Sequence, residues 1–140
     1  MKSKKILSLL AVAALATTVF VGCGSKDEAA FKDGSYEAKV DTFDDNGYAG
    51  KINIDVKDGK ITTVKYDEVN AEGTGKVDNK EYNAKMVEFG AKSTPAEAFP
   101  KLEAALVEKQ DVDAVDAVTG VTTSSESFKK LAAEALKDAK

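Results

Sequence analysis

Three segments in the first half of the chain alternate apolar and polar residues with the period of a half-buried β-strand. They cover residues 36–40, 48–56 and 61–69. Turn-forming residues at 44–47 separate the first two, and Asp58-Gly59 separates the last two. Because Asp-Gly readily adopts positive φ at both positions, it favours a tight hairpin. The sequence therefore predicts three consecutive strands in an antiparallel meander.

After a polar loop at residues 70–80, the apolar period changes to that of a helix. Tyr82, Met86 and Phe89 lie near one face of a helix that begins at Lys80 and is stopped by Gly90. Taken alone, this face is more typical of a core contact than of a cofactor site. We therefore expect it to pack in the core.

Two further helices are predicted by their capping residues. Thr94-Pro95-Ala96-Glu97 resembles a capping box with proline at the first helical position. Pro100 predicts a break after one turn, with the helix resuming over residues 101–109. Residues 111–118 are short and valine-rich and predict a strand or an extended segment.

The last helix has the clearest pattern. Thr123-Ser124-Ser125-Glu126 predicts a second capping box, with the Thr123 side chain bonded to the Glu126 N–H. Apolar residues then repeat at helical spacing, at Phe128, Leu131, Ala132, Ala135 and Leu136. The predicted fold class is α+β, a single small domain in which the antiparallel β-meander packs against two or three helices.

The N-terminus is typical of an export signal. A basic start is followed by an apolar run at residues 6–21, which is short for a membrane span, and then by Gly22 and Cys23. One interpretation is a stray cysteine in a signal peptide that is cut nearby. The other is that the segment resembles a bacterial lipoprotein signal, with Phe20 where that pattern more often has leucine. The segment at residues 15–21 could also be released as a signalling peptide.

The lipoprotein resemblance implies the domain organisation 1–22 signal peptide, 23–32 flexible tether with a lipidated Cys23, and 33–140 folded domain. It also implies a protein anchored by its lipid at the extracytoplasmic face of the cell membrane. A diacylglycerol supplies two chains, which suffice for stable attachment.

Composition excludes several classes of function. The 140 residues include no His and no Trp, and every basic residue is Lys. The lack of His removes the commonest general base and the commonest zinc ligand, and it excludes Ser-His-Asp catalysis. Removal of the signal peptide makes an already acidic chain more acidic, because residues 1–22 contain lysines but no acid. Nucleic acid is therefore not an expected partner.

One segment stands out as candidate chemistry, namely residues 116–125. Five hydroxyl residues surround Gly120 immediately before the last helix: Thr119, Thr122, Thr123, Ser124 and Ser125. One interpretation is a helix N-terminus well supplied with caps. The other is an anion site, because free N–H groups and the positive end of the helix dipole favour a phosphate there.

At these residues the sequence resembles the FMN-binding domain family, which includes the covalently flavinylated subunits of sodium-translocating quinone reductases and Rnf complexes. The family motif has Asp, two residues, Ser or Thr, Gly, Ala, then Thr or Ser. Asp116, Thr119, Gly120 and Thr122 match it, and Val121 replaces the usual alanine. The wider resemblance covers residues 33–139 and includes Gly34-Ser35-Tyr36, Asp58-Gly59-Lys60-Ile61, and Glu81-Tyr82-Asn83 with Met86.

The resemblance implies FMN joined through a phosphodiester to Thr122, with Asp116, Thr119, Gly120, Val121 and Thr123 as its neighbours in the site. It implies an electron carrier, itself the substrate of a magnesium-dependent flavin transferase, rather than an enzyme with its own substrate. Expected electron donors are membrane dehydrogenases or quinols. Expected acceptors are extracellular, such as ferric iron or other flavoproteins. The alternative is a lipid-anchored binding or interaction module that holds FMN non-covalently or not at all.

The anchor assignment can be tested at Cys23. Because no lipid can attach without the thiol, Cys23→Ala should release the protein from membranes or stall its processing. Membrane fractionation and the mass of the N-terminus measure both outcomes. A Cys23→Ala protein that matures normally and stays with the membrane would contradict the assignment.

Overall fold

The three predicted strands form one antiparallel sheet in the computed structural model, which describes residues 30–140. Strand β1 spans Gly34–Lys39, β2 spans Tyr48–Lys57 and β3 spans Lys60–Asn70. Their order in the sheet is β1-β2-β3, so each strand pairs with its neighbour in sequence. The predicted meander is confirmed. The predicted signal peptide and Cys23 lie outside the described residues.

The β2–β3 turn has the conformation that its Asp-Gly sequence predicts. Asp58 and Gly59 have φ values of 53° and 76°, and Lys57 pairs with Lys60 across them. Positive φ at both central residues matches the right-handed twist of the strands. Between Asp55 and Val56 the register shifts, a local irregularity that twists and bends the strand pair.

Three helices follow the sheet: α1 over Lys80–Glu88, α2 over Pro95–Lys109 and α3 over Thr122–Ala135. A 3-10 turn over Leu136–Ala139 ends the chain. Helices α2 and α3 pack on the same face of the sheet, whose other face carries exposed polar residues such as Lys51 and Asn53. The core lies between them. Its largest fully buried side chains are Phe99, Phe128, Ile54, Ile61, Leu102, Leu106 and Leu136. The structure is an α+β domain, as predicted.

Side chains of α2 and its C-cap cover the free edge of β3. Gln110, in the left-handed conformation, accepts the Ile61 N–H at 2.7 Å and donates to the Ile61 carbonyl at 2.8 Å. Glu103 accepts the Tyr66 N–H at 2.8 Å. These bonds satisfy backbone groups that an open edge would expose to another strand.

The predicted break at Pro100 is wrong. Helix α2 is continuous through Pro100, although it begins with Pro95 at its first position as predicted. Glu97 accepts the Thr94 N–H at 3.3 Å, which supports the predicted helix start. Proline costs one intrahelical bond, but Phe99 and Leu102 on either side of it are almost fully buried. Burial of this apolar side outweighs the missing bond.

Residues 111–118 form no strand in the described part of the chain; they form a turn and an irregular connection. Val115 is 1% exposed, and Val112 and Val118 pack against the core. Their valine-rich pattern thus reflects burial under a loop rather than pairing in a sheet. Of the two predicted alternatives, the strand is wrong, because apolar spacing reports burial and not hydrogen-bond partners.

The folded domain begins before the predicted end of the tether. The Phe31 N–H bonds to the Gly59 carbonyl at 3.1 Å, and the Lys32 N–H bonds to the Ala139 carbonyl at 2.7 Å. Phe31 also packs against the core. These two residues thus belong to the fold. Within residues 30–140, no helix combines the length and the apolar character needed to cross a bilayer.

Core packing predicts a large contrast between two phenylalanines. Phe128 is 0% exposed and stacks edge-on against Tyr66, whereas Phe89 is 84% exposed. Phe128→Ala should lower the free energy of unfolding by about 3–5 kcal/mol because it leaves a cavity. The matched control Phe89→Ala should change it by about 0.5 kcal/mol or less. Urea denaturation measures both, and equal losses would contradict the assigned core.

Candidate functional site

A groove with a volume of about 460 Å³ lies at the N-terminal end of α3. It is bordered by the β1–β2 connection, the start of β2, helix α1 and residues 120–124. Its volume is within the usual range of about 300–1,000 Å³ for small-molecule sites. A larger open cavity of about 1160 Å³ involves polar residues on the exposed face of the sheet, but it contains none of the sequence-predicted site residues. The smaller groove is therefore the candidate site.

Helix α3 begins two residues earlier than its capping pattern predicts, because Thr123 as the cap would make Ser124 the first helical residue. Thr122 is its first residue, Val121 is the N-cap, and within residues 30–140 no side chain caps its first turn. The predicted capping box, with Thr123 as the cap, is wrong. Ser125 instead closes the preceding turn, because its hydroxyl accepts the Val118 N–H at 3.0 Å and donates to the Val121 carbonyl at 2.9 Å.

This arrangement leaves the helix end available to a ligand. The first N–H groups of any α-helix have no intrahelical partner, and they carry the positive end of the helix dipole. Here they are on the residues that line the groove, Thr122, Thr123 and Ser124. The end of α3 thus offers donors and exposed hydroxyls together.

Gly120 allows the residues before α3 to pack closely against the turn before α2. Its φ is +95°, and a Cβ at this position would lie 2.9 Å from the Ser93 nitrogen and 3.2 Å from the Lys92 nitrogen. Both the conformation and the space therefore require glycine. The close approach holds the start of α3 at the mouth of the groove.

Aromatic side chains form the opposite part of the groove. The rings of Tyr48 and Tyr82 meet edge to face, with centroids 5.5 Å apart. Met86 is partly buried beside them, and Phe43, 53% exposed, stands at the rim. The expectation that the Tyr82 face of α1 packs in the core is confirmed only for Met86, which packs against the core while partly buried. No residue of α1 is fully buried, and Tyr82 and Met86 both line the groove.

A buried lysine lies among these aromatic rings. The Lys76 side chain is 5% exposed, and its ammonium lies 4.7 Å from the Tyr48 ring centroid and 5.3 Å from that of Tyr82. It forms an ion pair and hydrogen bond with Glu68 and lies 4.0 Å from Asp44. Burial lowers the pKa of Lys76, but the bond to Glu68 and its charge outweigh burial and keep that pKa above its ordinary value. Lys76 is therefore a cation in the groove.

Glu68 continues this network into the core. The Tyr66 hydroxyl donates to Glu68 at 2.8 Å and lies 3.4 Å from the Ser124 carbonyl in the first turn of α3. Burial first, and then the charge of Glu68, raise the pKa of Tyr66 far above its usual value, so the phenol stays protonated. The network links Lys76 to the helix that carries Thr122.

The predicted site residues divide into two groups. Gly120, Val121, Thr122 and Thr123 line the groove. Thr119 and Asp116 do not, and the Asp116 side chain is 94% exposed, paired with Lys109 at 3.3 Å. Val121 is 6% exposed and part of the hydrophobic core, so burial accounts for its extra bulk relative to alanine.

Sequence reasoning missed the groove residues that lie far from the motif along the chain. Tyr48 starts a strand, and Lys76 belongs to a polar loop. The one available signal was the i, i+4 spacing of Tyr82 and Met86, which indicates a shared face but not what that face contacts.

Comparisons with known proteins find similarity over most of the folded domain. A model of the FMN-binding domain family matches residues 47–137. The chain is 36% identical over 107 residues to the 15 kDa lipoprotein of Treponema pallidum, covering 76% of this chain and 75% of that protein. A crystal structure from Clostridium perfringens is 48% identical, with a TM-score of 0.73 over 78% of this chain and 88% of that one. A solution structure from Clostridium thermocellum is 35% identical, with a TM-score of 0.53 over 78% and 92%.

The close packing of Gly120 against the backbone of residues 92–93 can be tested by a pair of glycine substitutions. Gly73 also has positive φ, +82°, but a Cβ there would meet nothing within 4 Å. Gly73→Ala should therefore cost only the conformational strain, about 1–2 kcal/mol of unfolding free energy. Gly120→Ala should cost about 1–3 kcal/mol more, because its Cβ must displace backbone. Denaturant unfolding measures the difference, and equal costs would contradict the close approach.

Proposed function

This chain belongs to the FMN-binding domain family, and we propose from that premise that it is a lipid-anchored flavoprotein with FMN attached covalently to Thr122. FMN is the cofactor that the family indicates. We further propose that it acts as an electron carrier at the extracytoplasmic face of the membrane. The observation that carries this proposal is the position of Thr122. It is an exposed residue at the start of α3, and it lines a groove that also has aromatic side chains in its walls.

The residues of the groove fit the two ends of FMN. A phosphate on the Thr122 hydroxyl is next to the uncapped first turn of α3, where N–H donors and the helix dipole favour negative charge. Tyr48, Tyr82 and Met86 supply apolar surface for a flat aromatic ring. The chain needs no arginine to hold the phosphate.

Thr122 is favoured over the neighbouring hydroxyls. Thr119 does not line the groove, and the Ser125 hydroxyl is fully buried and bonded on both sides. Thr123 and Ser124 do line the groove, so geometry alone leaves them open. The family motif favours Thr122 among the three, because it puts the acceptor two residues after Gly120.

Asp116 has a different role in this proposal. Its exposure and its distance from the groove lining suit an acid that the flavin transferase contacts, rather than one that holds the cofactor. The magnesium-dependent transferase would donate FMN to the Thr122 hydroxyl. The protein is then a substrate of that enzyme and a carrier rather than a catalyst.

Bound FMN supplies one- or two-electron transfer, and the protein contributes orientation and electrostatics. Covalent attachment suits an extracytoplasmic protein, because a dissociable flavin would be lost by dilution. The lipoprotein relative supports an anchor at Cys23. As donors we propose membrane dehydrogenases or quinols, and as acceptors extracellular ones such as ferric iron or other flavoproteins.

The attachment site is tested by substitutions at Thr122 in protein co-expressed with a flavin transferase. Thr122→Ala should lose the FMN mass and the in-gel flavin fluorescence completely. Its circular dichroism should be unchanged, because the substitution removes only the hydroxyl and methyl groups of an exposed side chain. Thr122→Ser should keep the modification, since a hydroxyl remains. Intact mass spectrometry distinguishes these outcomes.

Two further variants test the neighbouring residues, the first as a control and the second for the proposed role of Asp116. Thr123→Ala removes a neighbouring hydroxyl and should stay fully flavinylated. Asp116→Ala should be flavinylated more slowly. A Thr122→Ala protein that carries the FMN mass would overturn the site, and a wild-type protein without that mass would favour a module that holds FMN non-covalently or not at all.

A further inference from the structure

We propose that the buried ammonium of Lys76 stabilises the reduced flavin ring and thereby raises the reduction potential of the bound FMN. This inference rests on the proposed function, because it concerns the same groove. It assigns a tuning role to a residue outside the sequence motif.

The position of Lys76 carries the inference. Its side chain is 5% exposed and borders the groove that also contains Thr122. Among the described residues that line the groove, it is the one basic side chain. The Lys76 ammonium lies 4.7 Å from the ring centroid of Tyr48 and 5.3 Å from that of Tyr82. A flavin ring attached to Thr122 and packed against these two tyrosines would therefore lie close to the ammonium.

The partners of Lys76 keep it charged in this setting. An unpaired ammonium would be costly to bury, and the hydrogen bond from Lys76 to Glu68 offsets that cost. Glu68 is itself held from the core side by the Tyr66 hydroxyl at 2.8 Å. Asp44 is 4.0 Å away but 46% exposed, so water screens its charge more strongly.

The chemistry of flavin reduction explains the effect. Uptake of two electrons and one proton leaves the ring with one more negative charge than the oxidised form. A nearby cation whose side chain is shielded from water, as that of Lys76 is, favours that added charge. A charge close to the ring is one of the means by which a protein tunes a flavin. Lys76 therefore favours the reduced form.

The experiment measures the reduction equilibrium of FMN-loaded full-length protein against a dye of known potential, followed by flavin absorbance. Lys76→Met should lower the two-electron equilibrium constant by about tenfold or more, which corresponds to about 30 mV. Lys76→Arg keeps the charge and should stay within about threefold of wild type. Glu68→Gln removes the opposing charge and should shift the constant in the opposite direction from Lys76→Met.

Lys85→Met is the matched control. Lys85 lies on α1, is 60% exposed and pairs with Glu81 at 2.8 Å, but it does not line the groove. The same loss of charge there should leave the equilibrium constant within about twofold of wild type. An equal shift in Lys85→Met and Lys76→Met would show a general charge effect and overturn the assignment.

Removal of Lys76 leaves Glu68 buried without its cation, so Lys76→Met can fail to fold. The double variant Lys76→Met/Glu68→Gln removes both charges and preserves the shape of the pair, and its constant should still fall below that of Glu68→Gln alone. Equality of those two constants overturns the inference. Flavin loading is measured first by intact mass. Wild-type protein without FMN would contradict the proposed function, whereas FMN-loaded variants with an unchanged equilibrium constant would contradict the tuning role alone.

Discussion

The candidate groove depends on the packing of helix α3 over β2, where Gly50 leaves room for side chains of the helix. A Cβ at Gly50 would lie 2.9 Å from the Leu131 side chain and 3.2 Å from the Ser127 hydroxyl. The Leu131 and Ser127 side chains thus occupy the space that a side chain at Gly50 would need, and Phe128 and Leu131 are buried in the core. The packing of α3 over β2 holds its first turn, and with it Thr122, beside the start of that strand. A larger residue at Gly50 would require the Leu131 and Ser127 side chains to move.

The polar network under the groove reinforces this placement. Lys76 pairs with Glu68, Glu68 accepts from Tyr66, and the Tyr66 hydroxyl reaches the Ser124 carbonyl. Each buried group has a partner, and within residues 30–140 no fully buried side-chain polar atom lacks one. Such a network can adopt few alternative geometries, because moving one side chain leaves a polar group of another without a hydrogen-bond partner. The same bonds that carry charge into the groove therefore also hold the helix that bears the hydroxyls.

Errors of sequence interpretation have a common cause. Pro100 predicted a break, but burial of Phe99 and Leu102 kept α2 continuous. The Thr123 box predicted a cap, but Val121 is buried in the core, Gly120 lies against Lys92 and Ser93, and the helix begins at Thr122. In both places a local preference worth about one hydrogen bond competed with packing contacts from distant segments. The distant contacts prevailed because they bury more apolar surface and satisfy more polar groups.

The amino-acid sequence by itself determined the meander, the helix starting near Thr122 and the motif that names the family. Strand period, Asp-Gly turn chemistry and motif spacing all depend on residues close together in the chain, so they can be read without a structure. Only the tertiary structure decided that Tyr48, Lys76 and Tyr82 meet Thr122 in one groove. These residues lie on separate elements, and their meeting depends on the close packing of α3 at Gly50 and on a buried ion pair between β3 and a loop. No local pattern encodes contacts of that range, because they arise from how whole elements pack.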